Sequence, residues 1–290
     1  MKILIADAFD ASLPKRLEKF GEVTSDLAQV GTATVLLCRS KTKVTKEMVD
    51  QAPNLKLVIR GGVGLDTIDV PACKAKGIEV MNTAAASSVA VAELAMAFLA
   101  AIPAKLFEAH QGMKEGKFLK NELKRTELYQ KTLGLIGAGA IATEVAKRAQ
   151  AFGMKVIAYD PFLTTHPIAE LMGFDEVLAK ADYLSLHTPL TDQTKGMFNK
   201  AVFAKMKDGA VIVNTCRGKV VVEEDLAEAL KSGKVRAYGT DVWFSDPPAP
   251  ECPLLSAPNV YMAPHIGASS KENLLRIGDI VVDILSRFKA

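Results

Sequence analysis

The sequence has little of what would mark a disulfide scaffold, a metalloprotein, a nucleic-acid binder or a membrane protein. Its four cysteines, Cys38, Cys73, Cys216 and Cys252, lie far apart, with no Cys-x-x-Cys pair and no histidine at metal-ligand spacing. That pattern predicts reduced thiols, a cytoplasmic setting and no metal site. A net charge of +3 is too small to argue for nucleic acid. The locally basic stretch Lys114–Lys131 is interrupted by Glu115, Glu122 and Glu127, so it reads as a solvated face. The opening residues, MKILIADAF, form a strand pattern containing Asp7 rather than a signal peptide. Ala84–Ala104 is nearly all apolar, yet it is dominated by alanine and holds Ser87, Ser88 and Glu93. It reads as a helix buried between domains or subunits and not as a membrane span. Internal repeats and low-complexity tails are also missing.

What is present is an ordinary globular composition, 49% hydrophobic and 24% charged over 290 residues, long enough for two domains with their own cores. The chain is organised around Lys131–Pro161. Thr132–Ile136 reads as a buried strand, Gly137-Ala138-Gly139 as a tight turn, Ala140–Phe152 as a helix and Val156–Tyr159 as a second strand ending in Asp160. Strand, Gly-x-Gly turn, helix, strand and acid make a dinucleotide-binding unit. Glycines let the backbone approach a pyrophosphate, which the helix N-terminus meets with free N–H groups and its positive dipole end. Asp160 stands about 20 residues beyond the turn, where a carboxylate reaches ribose hydroxyls and repels a 2′-phosphate, so NAD is expected. A bare Gly-x-Gly would be weak; the flanking strands and the acid make it specific.

Upstream, strands are predicted at Lys2–Ala6, Thr34–Cys38, Leu57–Arg60 and Ile78–Met81, alternating with helices at Ser12–Phe20, Thr45–Ala52 and Val70–Lys76. The glycine-rich loop Gly61–Gly64 ends one of these strands and offers N–H groups to a carboxylate, or is a plain turn. Arg39 ends the neighbouring strand and either binds an anion or is solvated. A long helix, Val89–Ala101, leads into the second half, and Gly112–Tyr129 reads as irregular. Beyond Asp160, Thr164–Leu171 reads as a loop running into a helix, followed by strands at Tyr183–His187, Ala210–Asn214, Ala237–Val242 and Val260–Ala263. Lys271–Phe288 reads as an amphipathic helix. Three polar groups follow strand ends: Arg217, suited to a carboxylate and an adjacent carbonyl; His265, suited to proton transfer; and Asp246, an acid near it.

Six segments in order, GLIGAGAIA (134–142), YDP (159–161), HTPLTDQTKGMF (187–198), VNTCRGKVVVEEDL (213–226), GTDVW (239–243) and APHIGASS (263–270), resemble the D-isomer-specific 2-hydroxyacid dehydrogenases. The likeness covers essentially the whole chain. It implies an α/β protein of two doubly wound parallel-sheet domains. These are a flavodoxin-like substrate domain (1–84 plus 269–290) and an inserted Rossmann NAD-binding domain (85–268), with the active cleft between them. It further implies Arg217 as carboxylate and carbonyl binder, His265 as acid/base and Asp246 as its orienting acid. Gly137, Gly139, Ala140, Ile141, Asp160, Thr188, Cys216, Asp241 and Gly267 are implied as the cofactor site. Arg39, Arg60, Val63 and Gly64 are implied on the substrate side.

The implied assembly is a homodimer joined through the NAD-binding domain, with a small anionic 2-hydroxy or 2-oxo acid as substrate. CRSKTKVT (38–45) and LKLVIRGGVGLDTIDV (55–70) are most similar to the family branch that oxidises 3-phosphoglycerate at the head of serine synthesis. Ending at Ala290, the chain would be a short form without the regulatory domains many such enzymes carry. The alternatives are a glyoxylate or hydroxypyruvate reductase of the same family, or a nonenzymatic, corepressor-like NAD-binding protein. The sequence departs from the family pattern in three places: Ala140 replaces an arginine frequent there, Ala142 the third glycine, and Asp246 the usual glutamate.

Overall fold

The computed structural model describes residues Met1–Phe288. Residues 289 and 290, the end of the segment expected in the substrate domain, lie outside the described residues. The chain divides into two units, Met1–Ala90 with the chain from Ala268 onward, and Val91–Gly267.

In the first unit, β1 (Lys2–Ile5), α1 (Leu13–Leu17), β2 (Glu22–Thr24), β3 (Val35–Cys38), α2 (Lys46–Asp50), β4 (Leu57–Arg60), α3 (Val70–Ala75) and β5 (Glu79–Asn82) follow one another. Their all-parallel sheet has the order β2-β1-β3-β4-β5, the flavodoxin-like arrangement. Alternate side chains explain why these strands are apolar throughout. Ile3, Ile5, Leu37, Leu57 and Ile59 pack on one face, and Leu4, Leu36 and Val58 on the other. The first face is closed by Ile277, Val281 and Leu285 of the C-terminal helix. Ser270 caps that helix by accepting from Asn273 N at 3.1 Å. Buried Asn273 donates in turn to Ala268 O and Ser87 Oγ.

α4 (Ala84–Ala101) begins five residues before the predicted start. Among the described residues it is the one helix long and apolar enough to cross a membrane. Ala92, Ala95, Phe98 and Leu99 nevertheless lie in the core of the second unit, so its apolarity serves packing. After it come α5 (Leu106–Lys114), β6 (Thr132–Ile136), α6 (Ala140–Ala151), β7 (Lys155–Tyr159), β8 (Glu170–Leu171), α7 (Phe174–Lys180) and β9 (Tyr183–Leu186). α8 (Lys200–Lys205), β10 (Ala210–Asn214), α9 (Glu223–Lys231), β11 (Val235–Thr240) and β12 (Val260–Met262) complete this unit, and α10 (Lys271–Arg287) returns to the first. The seven-stranded parallel sheet runs β12-β11-β10-β9-β6-β7-β8. The strand order reverses at β6/β9, the crevice position at which Rossmann sheets bind dinucleotides.

Two expectations need correction. Gly112–Lys114 are helical, because α5 buries Gly112 against the Leu119 side chain within an otherwise polar stretch. Glu170–Leu171 is a strand and not a helix start: it pairs with Ile157 and Ala158 at the sheet edge.

Candidate active site

The dinucleotide unit forms as its spacing predicts. Gly137 has a φ of +87°, and a Cβ there would lie 2.7 Å from His187 O, so only glycine fits the turn. Gly139 caps α6 with no side chain bonded to the first helical N–H groups. A Cβ on Gly139 would meet nothing within 4 Å, so the approach to the helix end is open. Asp160 closes the turn: Oδ2 accepts from Ala138 N and Oδ1 from Phe162 N, each at 2.9 Å. Ala140 and Ile141 begin the helix, and Ala142 is buried beneath it.

Beside this turn, at the ends of β9 and β10, the buried atoms Thr188 Oγ1, Thr215 Oγ1 and His187 Nδ1 have no hydrogen-bond partner. Unpaired buried polar atoms are costly unless a ligand satisfies them. With the open helix end and Asp160, they fit a dinucleotide. His187 Nε2 meets Ser185 Oγ at 2.9 Å, and burial pushes the imidazole pKa from 6.5 down to about 4. The unfolded chain therefore takes up a proton near pH 6.5 that the folded protein refuses until about pH 4. Stability supplied by neutral His187 is complete above pH 6.5 and is lost as pH falls towards 4. The loss is about 3 kcal/mol. Urea midpoints measured from pH 7 to pH 4 should show this slope in the wild type and a shallower one in His187→Gln.

Arg217 follows β10 in the Thr-Cys-Arg-Gly turn. Asn214, fully buried, braces that turn from within. Its Nδ2 donates to Arg217 O at 3.0 Å and to Tyr238 Oη at 3.1 Å, and its Oδ1 accepts from Cys216 N at 3.0 Å. The Arg217 side chain donates from Nη1 to Cys216 O at 2.6 Å. Gly218 lets the turn lie on the Trp243–Phe244 backbone, since a Cβ would come within 2.0 Å of Trp243 C.

His265 follows β12 in the left-handed region, with φ of 56°, an uncommon conformation for a side-chain-bearing residue. Asp241, 1% exposed, holds the backbone beyond it. Its Oδ1 accepts from Ile266 N at 2.8 Å and its Oδ2 from Gly267 N at 2.7 Å. Burial raises the Asp241 pKa, an effect these two donors oppose. Trp243 Nε1 donates to Ala263 O at 3.2 Å, tying the same two segments together. His265 Nδ1 is hydrogen-bonded to Asp246 Oδ2, so the shorter acid does reach the histidine. Since a carboxylate only accepts, Nδ1 carries the proton and Nε2 is left as a base.

The sequence reading missed Asn214, His187, Thr215 and the clamp made by Asp241. Only the polar residue ending an apolar strand, Asn214, left a trace in the sequence.

In the first unit, Cys38 pairs in register with Arg60, which brings Arg39 beside the loop after β4. Arg39 donates to Ala8 O, Ala268 O and Ser269 Oγ, all neutral acceptors, and its Nε is buried without a partner. Burial lowers the Arg39 pKa, countered by Asp7. The Asp7 carboxylate itself accepts from Arg39 N, Thr42 N and Thr42 Oγ1. Arg60 is almost fully buried, its guanidinium against Gly62. The N–H groups of Gly61 and Gly62 are used within the fold, by Cys38 O and Thr83 Oγ1. The candidate carboxylate donors of this loop are therefore Val63 and Gly64.

A Rossmann unit with an open dinucleotide crevice, and an arginine and a carboxylate-held histidine at its strand ends, defines a nicotinamide-dependent oxidoreductase. Residues 96–267 match the D-isomer specific 2-hydroxyacid dehydrogenase, NAD binding domain model. The chain belongs to that family, and its cofactor is NAD. It is 49% identical over 253 residues to a hydroxypyruvate reductase of Thermotoga maritima, covering 86% of this chain and 82% of that one. It is 41% identical over 301 residues to a D-3-phosphoglycerate dehydrogenase of Methanocaldococcus jannaschii, covering 99% of this chain. The match spans 57% of that longer relative. A D-lactate dehydrogenase of Aquifex aeolicus, solved with NAD and lactic acid, superposes with a TM-score of 0.89 at 29% identity. That match covers 99% of this chain and 94% of the other.

Proposed function

We propose that the protein oxidises 3-phospho-D-glycerate to 3-phosphohydroxypyruvate, with His265 as acid/base. Bound NAD supplies the hydride acceptor. His265 Nε2 takes the C2 hydroxyl proton as the C2 hydride leaves, and Asp246 holds the resulting imidazolium in place. Arg217 grips the substrate carboxylate and polarises the developing carbonyl. Gly139, Ala140 and Ile141 would meet the pyrophosphate with backbone N–H groups. Gly137, whose own N–H is donated to Tyr159 O, would let the turn approach it, and Asp160 would meet the ribose. Thr188, Cys216, Asp241 and Gly267 would meet the nicotinamide side, Asp241 through the lone pairs its two backbone donors leave over. Val63 and Gly64 would add N–H groups to the carboxylate.

The observation that carries the substrate assignment is Arg39, a half-buried guanidinium with neutral acceptors only and a buried, unpartnered Nε. An arginine so placed favours a second anion, such as a phosphate, with Arg60 on the adjacent strand adding positive charge. Arg39→Ala should raise KM for 3-phosphoglycerate about 10–100-fold, the worth of one or two charged hydrogen bonds. Its KM for hydroxypyruvate should change little. The second reading, a hydroxypyruvate reductase, is favoured by the 49% identity to the Thermotoga maritima relative. It requires Arg39→Ala to be silent with the preferred substrate.

The working form we propose is a cytoplasmic homodimer joined through the NAD-binding unit. Leu106, Phe107, Met113 and Phe118, all exposed on and after α5, support that surface.

A further inference from the structure

The segment that follows Asp160 is tied back to the glycine turn by a residue outside the motif. His166 Nδ1 accepts from both Ile168 N, at 3.2 Å, and Ala169 N, at 2.9 Å. A ring nitrogen that accepts two N–H donors carries no proton, so the proton lies on Nε2. Nε2–H then donates to Thr143 Oγ1 at 3.0 Å, and the Thr143 hydroxyl donates to Gly139 O, also at 3.0 Å. Every donor and acceptor in this relay is matched, and its direction is fixed by its ends. One end is the carbonyl of the glycine that caps α6. The other is anchored by Ala169, buried in the core, and by β8 immediately after it.

Asp160 grips the same turn one residue earlier, through Ala138 N. The turn is thus held at its N–H by the acid that ends β7. Its carbonyl, which accepts the first helical bond from Thr143 N at 2.9 Å, is held a second time by the relay from His166. Thr143 lies on the first turn of α6 beyond its open N–H groups, so the relay also fixes the angle at which that helix leaves the turn.

We propose that His166, acting through Thr143, is a positioning residue for the dinucleotide: it preorganises the Gly137–Gly139 turn and the α6 N-terminus to receive the pyrophosphate. This rests on the reading of that turn as the cofactor site. Preorganisation matters more here because Ala140 offers the pyrophosphate no side-chain cation, which leaves the aim of backbone N–H groups to do the binding. The relay touches no group assigned to the substrate or to proton transfer, so its removal acts on cofactor affinity and leaves the chemical step alone.

The test is a double-mutant cycle read by NADH fluorescence titration of the purified, substrate-free protein. His166→Ala and Thr143→Val should each weaken NADH binding about 5–20-fold, the worth of one or two hydrogen bonds. The double variant should lose no more than the larger single loss, because both changes cut one relay. Thr143→Ser, which keeps the hydroxyl, should bind as the wild type does. At saturating NAD, kcat and the KM for the hydroxy acid should be unchanged in all four. Additive losses, or unchanged NADH affinity in the folded Thr143→Val protein, would overturn the relay while leaving the cofactor site standing. A wild type that does not bind NADH would overturn the cofactor-site reading and the relay with it.

Discussion

His265→Asn should lower kcat by ~10²–10⁴-fold, the usual worth of general acid–base catalysis, with NADH affinity retained. The size of the effect follows from the direction of the Asp246 contact. With Nδ1 committed to the carboxylate, Nε2 is the one ring atom left to exchange a proton with substrate, and asparagine has no comparable base there. The backbone that aims the ring survives the substitution. Asp241 holds the N–H groups of Ile266 and Gly267, not the imidazole, and asparagine tolerates the left-handed conformation better than most residues. A loss confined to turnover, measured beside an unchanged NADH titration, separates the role of the ring from that of the loop. Full turnover in the variant would remove His265 from the mechanism.

Arg217→Ala should lower kcat/KM about 10²–10³-fold, the cost of removing one partner from a desolvated charge pair. Both kcat and KM should move if, as proposed, the guanidinium meets the ground-state carboxylate and also the oxygen that gains carbonyl character. Arg217→Lys should recover little, since an ammonium is a point charge and cannot make two parallel hydrogen bonds. The turn itself should persist in either variant, because Asn214 holds it through the main chain of residues 216 and 217. Steady-state kinetics with a far-ultraviolet circular dichroism check on folding would measure this. A change in KM alone would make Arg217 a binding residue with no part in the chemical step.

The parts of this site that were legible in the sequence are those whose signal is local. Gly137, Gly139 and Asp160 sit in one strand–helix–strand run whose periodicity and spacing identify it. Arg217 and His265 stand just beyond apolar strands, where parallel sheets place ligand-binding groups. What was not legible depends on contacts between distant segments. The Asp241 clamp needs β11 and the loop after β12 to lie side by side, which no spacing within either segment encodes. The bracing by Asn214 looks, in sequence, like any strand end. The relay through His166 joins residues more than 20 positions apart, and a lone histidine in a polar loop gives no warning of it. Of the secondary structure, α5 was hidden in a polar stretch with a weak apolar face. The two-residue strand β8 is too short to leave an alternation, and its pairing with β7 decides its conformation.

Whether Asp246 would serve in place of glutamate was open from composition alone, since it is one methylene shorter. The loop after β11 brings it to Nδ1. Ala140 offers no side-chain cation where the resemblance implied an arginine, and in the proposed relay backbone groups held from two sides would serve instead.

The most direct test is the initial rate of purified protein on two substrates. They are 3-phospho-D-glycerate with NAD, followed as NADH appears, and hydroxypyruvate with NADH, followed as NADH disappears, each over a range of concentrations. The account predicts the higher kcat/KM for the phosphorylated acid, and its loss in Arg39→Ala. A higher kcat/KM for hydroxypyruvate, unaltered by Arg39→Ala, would contradict the substrate assignment and make the protein a reductase of unphosphorylated oxoacids.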